Sequence, residues 1–236
     1  MKWSVISDFT MKLNKILIIP FLALTSVASA QVYSYGLNSS SNGWVDDSGY
    51  GDTSNPNYIA GKYSSTEYRN YFNFDFSGVI GSITDATITI DTPSGSFNSV
   101  DSNEVFALSL VDTTIDFDAP SISSLDFFND LGDGSFIGST IMSNSTGGSI
   151  SIQLSQAFID RANQNGFVTI GGANISIGSD PGTGTDSEYM FGSSGLTSNP
   201  VTLNITVDPD GDAVPEPSSA LFLSFASISL IIRRKR

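Results

Sequence analysis

The run Tyr68-Arg69-Asn70-Tyr71-Phe72-Asn73-Phe74-Asp75-Phe76 puts phenylalanine at every second position, with Tyr71, Asn73 and Asp75 between. Successive side chains of a strand point to opposite faces, so this spacing commits the segment to a strand with one buried aromatic face. Ala86-Thr87-Ile88-Thr89-Ile90 and Val201-Thr202-Leu203-Asn204-Ile205-Thr206-Val207 repeat the alternation. Further short apolar segments at 104–111, 148–154, 167–170 and 173–177 are separated by Gly- and Ser-rich turns. Only 154–165 reads as a helix, with Phe158, Ile159 and Ala162 apolar and Gly166 as its cap; a brief helical turn is placed at 123–128. The expected fold class is all-β: a single jelly-roll-like β-sandwich with one short helix, spanning 31–207. Its 177 residues suit one domain, and no repeat of fixed period is visible.

Charge divides the chain into three parts. Seven of its ten basic residues lie in the first 15 or last four positions, whereas 31–217 carries 3 basic against 23 acidic residues, a net −20. At the amino end, Lys12 and Lys15 precede the apolar run 16–24 and the small residues Ala28 and Ala30. Basic start, short apolar centre and small-residue site are the parts of a secretory signal, 1–30, cut before Gln31 by signal peptidase after Sec export. Nine apolar residues at ~1.5 Å each fall well short of a ~30 Å bilayer core, which disfavours an anchor. Trp3 and Asp8 fit a signal poorly, which points to Met11 as the translation start.

The carboxyl end is a linker at 208–219, an apolar segment at 220–232, and the basic tail Arg233, Arg234, Lys235 and Arg236. A 13-residue helix is about 20 Å long, short for a full span. The basic tail would stay on the cytoplasmic side and hold the body outside. Pro215 and Pro217 keep the linker extended and open to a processing enzyme. The motif Val214-Pro215-Glu216-Pro217-Ser218, the short apolar segment and the basic tail, in that order, closely resemble the PEP-CTERM sorting signal of Gram-negative bacteria. The resemblance implies exosortase as processing partner, a membrane-anchored intermediate, and delivery to the cell surface or an extracellular matrix. Glu216 would then be a recognised residue of a substrate. The opening pair 68–78 and 83–90, with Phe127-Phe128-Asn129-Asp130-Leu131-Gly132 and Ile170-Gly171-Gly172-Ala173, resembles uncharacterised PEP-CTERM ectodomains; the opening alone is loosely similar to DNRLRE-type sandwich modules.

With no His and no Cys, the chain has no Ser-His-Asp triad, cysteine nucleophile, disulfide framework or Cys/His zinc site. Its scarcity of cations makes it a poor partner for nucleic acid. Gly-x-Ser-x-Gly, Walker and dinucleotide motifs are absent, and glutamates before the sorting signal number only Glu67, Glu104 and Glu188, so the chain reads as no enzyme. A glycoside-active enzyme is a remote alternative requiring two carboxylates at close range.

Two kinds of side chain remain as binding candidates. Seven of eight tyrosines fall within 31–71 together with Trp44, and Trp44, Tyr50, Tyr58 and Tyr63 occupy Gly/Asn/Ser-rich sequence that reads as loop. Aromatic faces suit stacking on sugar rings, but tyrosine is also a favoured cross-strand packing residue; both readings stand. Asp208, Asp210 and Asp212 alternate round a glycine and could offer oxygen ligands to Ca²⁺, but the downstream acidic ligand of an EF-hand loop is missing, which favours a solvated acidic linker. Asp130/Asp133 and Asp180/Asp186/Glu188 are further loop carboxylates. No other cofactor is expected. The functional expectation is an exported, exosortase-processed surface or matrix protein acting by structure or adhesion. The alternative is a carbohydrate-binding module that holds extracellular polysaccharide on the amino-terminal aromatics.

Overall fold

The computed structural model describes residues 33–93, 95–178, 187–192 and 201–209. In chain order these form β1 (Tyr33–Asn38), β2 (Ser41–Asp46), β3 (Tyr50–Asp52), β4 (Ala60–Tyr63), β5 (Thr66–Asp75), β6 (Ser82–Thr92), β7 (Glu104–Leu110) and β8 (Ser121–Ser123). There follow α1 (Leu125–Asp133), β9 (Ser135–Met142), β10 (Gly148–Gln153), α2 (Gln156–Gln164), β11 (Phe167–Asn174), β12 (Glu188–Met190) and β13 (Thr202–Asp208). The described body is mostly β, with antiparallel sheets and two short helices.

One sheet has four strands in the order β1-β13-β6-β10. The larger sheet runs β12-β4-β5-β11-β7-β9, with β2 also paired to β5. Alternation decides what each strand contributes. Phe72 and Phe74 of β5 lie opposite Ile170 and Val168 of β11, and Ile170 lies opposite Leu110 of β7. Ile88 and Ile90 of β6 lie opposite Ile152 and Ile150 of β10, and Ile88 also faces Leu203 of β13. All of these side chains belong to one buried apolar cluster drawn from both sheets. Phe72, Phe74, Ile88 and Leu203 are fully buried, so each contributes on the order of 1.5–3 kcal/mol of transfer free energy. At one end α2 packs Phe158 on Phe76, and Asn163 exchanges two hydrogen bonds with the backbone of Ile83 (2.7 and 2.9 Å), tying the helix to β6.

The other face of β5 is covered separately. Tyr71 enters a second cluster with Val45, Val111, Ile122, Phe127, Phe128 and Leu131. Three of these come from α1, whose start is capped by the Ser124 hydroxyl accepting from the Phe127 N–H at 3.1 Å. Arg69 of β5 holds the far half of that helix. Its guanidinium lies 4.3 Å from the Phe128 ring centroid and donates to the carbonyls of Phe128 (3.1 Å) and Asn129 (3.0 Å). Its Nε pairs with Glu67 at 3.0 Å. These contacts tie the helix to β5 through one charged side chain.

The structure corrects the sequence reading in several places. Among the described residues there are two helices rather than one. The turn expected at 123–128 becomes α1 because a serine cap and three apolar residues on one face make a full helix worth burying. Segments 167–170 and 173–177 merge into the single strand β11, with Gly171 and Gly172 carried inside it. Strands β1 to β4, β8, β9 and β12 had no counterpart in the sequence reading, because they are short, polar or edge-placed and show little alternation. Among the described residues no helix is long and apolar enough to cross a membrane. The signal (1–30), the membrane segment (220–232), the basic tail and the sorting motif lie outside the described residues.

Two stability measurements follow from this packing. Replacing Phe72 with Ala should lower unfolding free energy in urea by about 3–5 kcal/mol, since the ring has no exposed surface through which the site could rehydrate. The Tyr71 phenol is pushed up to about 12 from its ordinary 10.0, first by burial and then by Asp52. Folding therefore favours the protonated phenol. Its contribution is complete below pH 10 and is lost as pH rises toward 12. Stability should fall across that interval by roughly 2–3 kcal/mol, and Tyr71→Phe should flatten the fall.

Candidate functional site

Where β2, β4, β5 and β12 meet, aromatic side chains surround an open groove of 380 Å³ lined by Trp44, Asn55, Asn57, Ile59, Tyr63, Tyr68, Tyr189 and Gly192. That volume lies in the ~300–1,000 Å³ range of ligand clefts. The β2–β5 pairing sets Trp44 opposite Asn70 and Asp46 opposite Tyr68. The β4–β12 pairing sets Tyr189 opposite Gly61. Trp44 meets Tyr68 edge to face at 5.3 Å and Tyr50 at 6.1 Å, while Tyr63 meets Tyr189 at 5.6 Å. Such T-shaped pairs hold ring planes at fixed angles, leaving the remaining faces to present.

Backbone geometry builds the wall. Gly61 has φ +113°, and a Cβ there would sit 2.3 Å from the Glu188 carbonyl, so only glycine lets β12 close on β4. A Cβ on Gly192 would sit 2.3 Å from the Tyr189 ring, so the ring packs against bare backbone. Among the described residues two non-glycine residues have positive φ, Ser64 (56°) and Phe191 (60°), and both adjoin the groove, after Tyr63 and before Gly192. A bulky residue in that region costs of order 1–3 kcal/mol and persists only where its surroundings over-determine it. Phe191 is fully buried between Tyr58 (5.6 Å) and Phe106 (5.0 Å), which supplies that constraint. The Asn57 amide donates to the Gly192 carbonyl at 3.3 Å and the Asn42 amide to the Pro56 carbonyl at 2.7 Å, closing the loop over the groove. The Tyr68 phenol is held above its ordinary range by burial first, then by Asp46, with Asp47 and Tyr63 adding to it.

Among the expected stacking residues, Trp44 and Tyr63 line this groove, and half-exposed Tyr50 borders it through Trp44. All three belong to strands rather than loops. Tyr58 is a correction. It is 2% exposed, packs on Phe72 at 5.5 Å, and its hydroxyl donates to the Asp91 carbonyl at 3.1 Å, so it serves the core. Tyr68 and Tyr189 complete the site instead. Tyr68 stood in the aromatic-rich segment; Tyr189 lies more than a hundred residues later, and only the β4–β12 pairing brings it in.

Beside the groove wall lies a carboxylate cluster. Ligand atoms of Asp101, Glu104 and Glu188 fall within 4.8 Å of one another, the spacing that could hold a divalent cation. Glu104 is fully buried and accepts hydrogen bonds from Ser99, Ser176 and, at 3.0 Å, Asn174. Glu188 accepts from the Gly178 N–H at 3.1 Å and lies opposite Lys62 in the β4–β12 register. The Ca²⁺ set read from sequence is not assembled within the described residues: Asp208 ends β13 opposite Ser82, and Asp210 and Asp212 lie outside them. Asp130 and Asp133 belong to α1, and Asp130 is a structural acceptor for the N–H groups of Asp112 and Thr113, both at 2.6 Å. Asp180 and Asp186 lie outside the described residues, and their expected companion Glu188 faces Asp101 and Glu104 instead. A second depression of 230 Å³ contains Arg161, already paired with Asp112 at 2.7 Å.

Comparison of the chain with known families and with curated proteins finds no match. The geometry itself offers fixed aromatic faces next to amide groups, which is binding chemistry for flat, hydroxyl-rich molecules.

Glu104→Ala should lower unfolding free energy by roughly 2–4 kcal/mol, because Ser99, Asn174 and Ser176 would lose a shared buried acceptor. Thermal melts of the variant beside Glu104→Gln, which keeps one acceptor oxygen, measure this; the Gln variant should recover part of the loss.

Proposed function

We propose that the protein is an exported surface or matrix protein whose jelly-roll-like β-sandwich binds extracellular polysaccharide without catalysis. The observation that carries this reading is the groove: Trp44, Tyr63, Tyr68 and Tyr189 around an open cleft, with Asn55 and Asn57 beside them. A pyranose presents a C–H face to aromatic rings and equatorial hydroxyls to amides, so this combination suits it. Structural or adhesive action, the first expectation from sequence, here becomes adhesion through that groove.

The export part of the reading rests on the sequence. The signal at 1–30, cut after Ala28-Ser29-Ala30, would release Gln31 as the new amino terminus. Exosortase would recognise Val214-Pro215-Glu216-Pro217-Ser218 while the apolar segment 220–232 and the basic tail hold the chain in the membrane. A body stapled by neither cysteine nor metal-binding histidine suits this route, provided that β packing alone stabilises it outside the cell.

Two measurements test the two halves. Affinity electrophoresis in gels containing neutral polysaccharide should retard the protein, and Trp44→Ala with Tyr189→Ala should abolish retardation while circular dichroism stays unchanged; equal retardation of the double variant would exclude the groove. Replacing Pro215, Glu216 and Pro217 with alanine should leave the carboxyl-terminal segment attached in an exosortase-positive host. Normal processing of that variant would reject the sorting assignment.

A further inference from the structure

We infer that the groove selects a glycan carrying protonated amino groups, a partly or fully de-N-acetylated hexosamine polymer, over neutral and uronate-bearing chains. This rests on the polysaccharide-binding reading and names the substrate class of the same site.

The argument starts from what surrounds the rings. Asp46 lies opposite Tyr68 in the β2–β5 register and two residues from Trp44 on the same strand face. Its Oδ1 accepts from the N–H groups of Ser48 and Tyr50, both at 3.0 Å, and from the Ser48 hydroxyl at 2.5 Å, so the carboxylate is fixed in place. Asp47 follows it, and its Oδ2 accepts from the Glu67 N–H at 3.3 Å, keeping a second carboxylate at the same edge. The raised phenol of Tyr68 responds to both, so their field reaches the ring that lines the cleft.

Opposing cations are few. Arg69 is directed to Glu67 and to α1 on the other side of β5. Lys62 lies opposite Glu67 and Glu188 in its two strand pairings and is not a lining residue of the groove. The stretch 31–217 holds 3 basic and 23 acidic residues. A uronate would therefore be repelled at long range and would find no basic partner in the groove lining. A neutral sugar gains the ring contacts alone. A hexosammonium gains those contacts, attraction to Asp46 and Asp47, and a cation–π contribution from Trp44 or Tyr68.

Titration calorimetry with short oligomers of glucosamine, N-acetylglucosamine and glucuronate tests this, at a mildly acidic pH that keeps amines protonated and carboxylates ionised. At low ionic strength the glucosamine oligomer should bind at least about tenfold more tightly than the N-acetylated one, and the ratio should shrink several-fold in high salt. Asp46→Asn keeps the Oδ1 acceptor of the turn and should lower that ratio. Asp160→Asn removes the same charge on α2 and should leave it alone. Equal or tighter binding of the N-acetylated oligomer would overturn the selectivity and leave polysaccharide binding standing. Equal losses in both variants would assign the preference to bulk charge and overturn it too. If no oligomer binds and neutral polysaccharide gels give no retardation, the underlying reading fails with it.

Discussion

Strand β5 is where the two hydrophobic clusters of this protein are joined. Its phenylalanines Phe72 and Phe74 enter the cluster shared by both sheets, while Tyr71, between neighbours on the opposite face, enters the cluster beneath α1. The strand pairs with β2, β4 and β11, so its register sets the positions of three other strands. A slip of one residue would exchange the two faces, moving Tyr71 and Asn73 into the larger core and Phe72 and Phe74 out of it. Among the described residues no other strand pairs with as many neighbours.

The groove depends on the same strand. Tyr68 stands toward the start of β5, where β2 lies on one side and β4 on the other. Trp44 is delivered by β2 and Tyr189 by β12 through β4, so three pairings must be in register before four rings can meet. The local distortions that allow this, positive φ at Gly61 and Phe191, lie against well-buried partners rather than in open loops. Strain of this sort is tolerated where packing leaves no alternative, which makes the groove wall rigid. Rigid aromatic faces lose little entropy on binding, and weak stacking contacts then convert to affinity more fully.

The carboxylates of the body fall into two electrostatic settings. Asp46, Asp52 and Asp75 are ends of turns, each held by Ser or backbone N–H donors close in sequence. For Asp52 and Asp75 those donors keep the carboxyl below its ordinary range, through Ser54 and Ser77 respectively. Their contribution to stability is therefore present above the ordinary carboxyl pKa of 3.8 and is lost as pH falls below it. Glu104 is different: it is buried, with donors from two segments, Asn174 and Ser176 about seventy residues later and Ser99 in the loop before it. The first kind can be recognised from Asp-x-Ser spacing. The second kind is assembled only by the fold.

The amino-acid sequence by itself determined the secondary structure of the strongest strands and the acidic charge of 31–217. Alternation at 68–76, 86–90 and 201–207 is a local property, and burial of one face follows from it without knowledge of the partner. It also led to Trp44 and Tyr63 as candidate ligand-facing rings, since an aromatic cluster in polar sequence is visible without a fold. Only the tertiary structure decided that Tyr58 belongs to the core, that Tyr68 and Tyr189 share a groove with Trp44, and that Glu188 meets Asp101 and Glu104 rather than its sequence neighbours. The reason is sequence separation. Tyr189 and Glu188 owe their surroundings to antiparallel pairing with β4, more than a hundred residues earlier, and local pattern carries no record of which distant strand will supply the hydrogen bonds.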